Sequence, residues 1–117
     1  MKILIVINDA PYGTEKAYNA LRLAMTLVSE HEEVEPLIFL MADAVGCAIP
    51  NQLTPKGYYN IETMLKFVIE NGVPVRACGG CLLARGFEKI ELIPGVKRST
   101  MLEFTEWNVD ADKIISF

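Results

Sequence analysis

Two thiols three residues apart, Cys78 and Cys81, follow the apolar run 73–77 and enclose Gly79-Gly80. A cysteine attacks as its thiolate. A sulfur at the exit of a strand and the start of a helix feels the partial positive charge of unpaired backbone N–H groups, so the predicted effect is a lowered thiol pKa. Gly79 and Gly80 permit backbone shapes closed to other residues and leave room for another molecule. Cys81 comes within reach of Cys78 if the turn between them is helical. Arg76 shares the strand face of Cys78, and Arg85 lies four residues after Cys81. Both are predicted to add positive potential. The pair would also serve as small buried filling, since a free cysteine packs like a small hydrophobe; its place beside glycines at a strand exit favours chemistry.

The elements that must position this stretch alternate along the chain. Residues 2–8 are a continuous β-branched apolar run, as expected of a central parallel strand. A turn at 9–14 leads to Thr14 as N-cap and to a helix over 15–30, with Ala17, Leu21, Ala24, Met25 and Val28 at helical spacing. A second strand covers 34–40. Residues 41–57 are irregular, with one helical turn at 42–46. A helix follows over about 58–71, then the thiol stretch. Residues 87–96 are ambiguous. Ser99 or Thr100 caps a helix carrying Met101, Leu102, Phe104 and Trp107, with Glu103 in a capping-box position. Residues 113–117 form a last strand. Such alternation predicts a parallel sheet with helices on both faces. Ligand sites in such sheets lie at the carboxyl ends of the strands, where the loops 8–13, 41–47 and 78–81 all fall.

Composition narrows the partners. The chain has 117 residues, the size of one domain. Its net charge is −4, so it lacks the basic footprint of a nucleic-acid binder. It also has no Lys/Arg-rich stretch for a membrane surface and no apolar segment near the ~20 residues that span a bilayer. The apolar start is too short for a signal peptide, so a cytoplasmic location is expected. Three cysteines in a reducing compartment read as thiols before disulfides. Zinc needs four ligands, and the one histidine, His31, ends the first helix at the far edge of the sheet. There is no GxGxxG or GxxxxGK[ST] motif. Apolar content is 51%, and the apolar loop around Val45, Ile49 and Leu53 predicts a subunit contact.

In their order these residues resemble the DsrE/DsrF-like family, which includes TusD-type sulfur-relay subunits. The resemblance covers nearly the whole chain, read as one domain, 1–117. It rests on Pro11-Tyr12-Gly13-Thr14 and Asn51-Gln52-Leu53-Thr54, on Cys78 followed by Arg85-Gly86, and on the C-terminal run from Ala111 to Phe117. It implies a three-layer α/β/α sandwich around a mostly parallel sheet of about five strands, flavodoxin-like in general architecture. It also implies assembly into trimers, or hexamers, and a persulfide on Cys78. The candidate site is therefore Cys78 and Cys81, supported by Gly79, Gly80, Arg85, Tyr12, Gly13 and Cys47, with no metal and no cofactor. The expected function is a sulfur carrier of sulfurtransferase type, served by protein sulfur donors and acceptor thiols. A dithiol oxidoreductase using Cys78 and Cys81, or an oligomeric binding module with incidental thiols, fits the same residues.

Overall fold

Strand β1 (Lys2–Ile7) is apolar on both sides because both sides of it are covered. Its neighbours are β2 (Glu35–Leu40) and β5 (Lys113–Ser116), and all pairings in the sheet are parallel. With β3 (Val75–Cys78) and β4 (Val96–Ser99) the order is β4-β3-β2-β1-β5. The helices are α1 (Lys16–Glu30), α2 (Ile61–Glu70), α3 (Gly79–Ala84) and α4 (Met101–Asp110); a 3₁₀ segment spans Ala42–Ala48. This computed structural model describes residues 1–117.

The strand order explains the layers. From β1 to β4 each step moves one way across the sheet, and right-handed crossovers put α1, α2 and α3 on one face. The step from β4 to β5 runs back across the sheet and puts α4 on the other. Odd-numbered positions of β1 (Ile3, Ile5, Ile7) join Leu21, Leu65, Val75 and Leu82 in the main core. Even-numbered Leu4 and Val6 join Leu37 and Phe39 beneath α4. There the Phe39 ring lies 4.5 Å from Phe104 and 6.2 Å from Trp107, centroid to centroid. The three-layer α/β/α architecture expected from the sequence is present, with one helix alone as its thin layer.

Several boundaries differ from expectation. Helix α1 begins at Lys16 with Glu15 as N-cap; the Thr14 hydroxyl instead donates to Asp9 Oδ2 at 3.1 Å and accepts the Lys16 N–H at 3.4 Å. Helix α2 begins three residues later than predicted, capped by Asn60, whose side chain accepts the Thr63 N–H at 3.0 Å. Tyr58 and Tyr59 are left outside it; Tyr59 stacks with Tyr12, Tyr18 and Tyr58, and Tyr58 lies tilted to Tyr12. Strand β4 falls where the sequence was ambiguous. Thr100 caps α4 by accepting the Glu103 N–H at 3.2 Å, while Glu103 Oε1 accepts from the Ser99 hydroxyl at 2.7 Å, a side-chain variant of the capping box. Val45, predicted to face another subunit, is fully buried in this chain's own core, because the 3₁₀ segment folds over the end of the sheet. Of that loop's apolar residues, Leu53 is the one left in the open, 95% exposed.

Candidate functional site

Cys78 is both the last residue of β3 and the N-cap of α3. The strand delivers it to the carboxyl edge of the sheet, beside Ser99 of β4. The chain turns at once into a helix, and the Cys78 sulfur accepts the Cys81 backbone N–H at 3.2 Å. That is the bond an N-cap side chain makes to the third residue of a helix. Both thiols are free and half-buried.

Cys81 lies one turn on and meets the loop that follows β2. Its sulfur accepts the Ala42 backbone N–H at 3.3 Å, and its S–H faces the Met41 sulfur at 4.0 Å. Ala42 holds a left-handed conformation, φ 53°. A residue with a Cβ adopts that shape at a cost, and here it aims the amide at Cys81. Arg85 ties the same two elements together. Its Nε and Nη2 donate to Asp43 Oδ1 at 3.0 and 2.8 Å, and its Nη1 donates to the Cys81 carbonyl at 3.1 Å.

Two electrostatic expectations are corrected. The Cys78 thiol is pushed up rather than down: burial is the largest cause and the neighbouring Cys81 thiol adds to it, while the Cys81 and Gly80 backbone N–H groups pull the other way and are outweighed. The two arginines do not supply the missing positive field. The Arg76 guanidinium lies over the Trp107 ring, 4.2 Å from its centroid. Arg85 is paired with Asp43. Cys78 therefore rests as a thiol, and its reactivity depends on losing a proton.

The remaining candidates divide. A Cβ on Gly79 would meet the Ser99 carbonyl oxygen at 3.0 Å, so this glycine serves the approach of β4; one on Gly80 would meet nothing within 4 Å. Gly13 turns the chain at φ 105°. Tyr12 is committed elsewhere: its hydroxyl donates to Gln52 Oε1 at 2.7 Å and accepts the Ile61 N–H at 3.1 Å. Gln52 also accepts the Glu62 N–H and donates to the Cys47 and Ile49 carbonyls. The Tyr12 and Gln52 motifs thus close one loop-locking network. Cys47 is fully buried, its thiol pushed up to about 12 by desolvation. Met41 and Ala42 entered the sequence reasoning only as part of the loop 41–47 at the same edge; the pairing of Leu40 with Ala77 sets Met41 beside Cys78.

Comparison with known proteins gives a consistent result. The model of the DsrE/DsrF-like family matches residues 1–117. Protein YchN of Escherichia coli K12 is 40% identical over 116 residues, covering 99% of this chain and 98% of that protein. An uncharacterized Methanocaldococcus jannaschii protein is 39% identical over the full length of both. A more distant relative, sulfurtransferase TusD of Salmonella newport, is 23% identical over the full length of both. The crystal structure of the E. coli YchN protein matches with a TM-score of 0.94, covering 100% of this chain and 99% of that one.

Proposed function

The chain belongs to the DsrE/DsrF-like family, and from that premise we propose that it is a sulfur carrier in a relay, holding sulfur as a persulfide on Cys78. The family and the distant TusD relative point to a sulfur-relay role. The observation that carries the assignment to Cys78 is its place at the β3–α3 junction, where a half-buried sulfur is held by the Cys81 amide. A half-buried sulfur at this edge is reachable by a thiol carried on another protein.

Cys78 first loses its proton to solvent or to a base on the donor. The thiolate attacks the outer sulfur of a donor persulfide, R–S–SH. The donor S–S bond breaks, a Cys78–S–SH group forms, and R–S⁻ leaves. An acceptor thiolate then takes that outer sulfur by the same step, and Cys78 is restored as thiolate. Cys81 is the nearest thiol able to attack Cys78–S–SH instead, at the Cys78 sulfur, releasing hydrosulfide and closing a Cys78–Cys81 disulfide. The two thiols one helical turn apart also suit a dithiol couple, and that couple is the alternative function.

The test is intact mass after incubation with a persulfide donor. The expected adduct is about 32 Da, one sulfur atom, and dithiothreitol should remove it. A sulfinic acid adds a similar mass but survives the reductant. Absence of a reducible adduct would rule the carrier out.

The carrier works as a homo-oligomer, trimer before hexamer. Leu53, Met101, Leu102 and Val109 are exposed apolar residues that support this assembly. Light scattering at micromolar protein should give a mass of three or six chains; a mass of one chain would refute it.

A further inference from the structure

Three sulfur-bearing residues from two elements lie together at the carboxyl edge. Cys78 and Cys81 come from the β3–α3 junction, and Met41 comes from the end of β2. The Cys81 and Met41 sulfurs are 4.0 Å apart. Met41 and Cys78 leave adjacent paired strands side by side, and both pack against the Leu4, Val6, Leu37 and Phe39 cluster. All three are half-buried, so they are held yet reachable.

We propose that Met41, Cys78 and Cys81 form a binding site for a soft monovalent cation, cuprous copper. Thiolate and thioether donors select Cu(I), whereas carboxylates and carbonyls suit harder ions. An ion held by three sulfurs at roughly 2.3 Å needs those sulfurs roughly 4 Å apart, which is the spacing already present between Cys81 and Met41. No group of three His, Cys, Asp or Glu side chains in the chain is placed to hold a metal. Selection for copper over zinc therefore rests on the methionine.

The step balances as Cu⁺ plus two thiols and one thioether giving a copper bis-thiolate thioether complex of charge −1 and two protons to solvent. No electron is transferred. The added negative charge falls on sulfurs that already accept backbone N–H groups, Cys78 from Cys81 and Cys81 from Ala42. The Met41 backbone is pinned by its own N–H to the Ile7 carbonyl at 2.8 Å, and its thioether already lies 4.0 Å from the Cys81 sulfur. Copper and a persulfide compete for Cys78, which makes the site a point where copper would halt sulfur relay.

The experiment is an anaerobic competition titration of the reduced full-length protein against bicinchoninate-bound Cu(I), with Cd(II) titrated in parallel. The wild type should withdraw one Cu(I) per chain. Met41→Leu keeps the side-chain volume and the fold. It should weaken Cu(I) binding at least about tenfold while leaving Cd(II) affinity unchanged. Cys81→Ser should lose Cu(I) binding. A wild type that withdraws no copper, or a Met41→Leu variant that binds Cu(I) as the wild type does, overturns the site. Failure of persulfide loading with intact copper binding would instead count against the carrier alone.

Discussion

The Cys78 sulfur and the Cys81 backbone N–H, 3.2 Å apart, are cap and capped group of the same helix. The proposed nucleophile therefore has a structural duty as well as a chemical one. Serine keeps a side-chain acceptor at the N-cap and alanine does not, a difference worth about 1 kcal/mol. Urea denaturation should show Cys78→Ser close to the wild type and Cys78→Ala about 1 kcal/mol less stable. Equal stability of the two variants would mean that the contact contributes nothing, and either variant loading sulfur would remove Cys78 from its role.

The thiols should separate by access and by pH. Cys78 is half-buried and Cys47 fully so, so limited iodoacetamide near neutral pH should label Cys78 before Cys47, at a rate that climbs as the pH rises past the ordinary thiol range. Cys47 stays protonated in the fold to about pH 12, whereas in the unfolded chain it ionises near about 8.5. Its contribution is whole below the unfolded value. It is lost as the pH rises from there toward the folded value, because the unfolded state has released a proton that the native state keeps. The urea midpoint of the wild type should fall between about pH 8 and pH 10 by more than that of Cys47→Ala. Parallel curves would contradict the burial of this thiol.

The two glycines between the cysteines should respond in opposite directions. Gly79→Ala pushes a methyl group against the Ser99 carbonyl, a backbone atom of β4 that has little room to move. It should cost about 1–3 kcal/mol and weaken the β3–β4 edge. Gly80→Ala enters open space inside α3 and should stabilise by about 0.5–1 kcal/mol, through the better helix propensity of alanine. Thermal unfolding of the two variants decides this; a destabilised Gly80→Ala would show that this position needs glycine for another reason.

The strand–helix junction that carries the two cysteines could be read from the sequence because it depends on local order: an apolar run, a thiol, two glycines, a second thiol. Its electrostatics could not. Arg76 and Arg85 have the right offsets from the cysteines, but α4 brings Trp107 under Arg76 and the 3₁₀ segment brings Asp43 to Arg85. Both are tertiary events between distant parts of the chain. The burial that raises Cys78 has the same origin. Strand β4 was hidden for a different reason. Val-Lys-Arg-Ser has one apolar residue and no alternation, and it is a strand because an edge position needs only backbone pairing with β3. Val45 and Leu53 look alike as apolar loop residues, yet the first is core and the second is open, since only the packing of the 3₁₀ segment distinguishes them.

The most direct measurement is the lifetime of the sulfur adduct in three proteins. Wild type, Cys78→Ser and Cys81→Ser are loaded with a persulfide donor, freed of it, and followed by intact mass over time. The expected result is a reducible adduct of about 32 Da, one sulfur atom, on the wild type. Cys78→Ser should carry none, and Cys81→Ser should carry one that lasts longer because the thiol one turn away can no longer displace it. An adduct on Cys78→Ser that is missing from Cys81→Ser would contradict the assignment and move the carrier to Cys81.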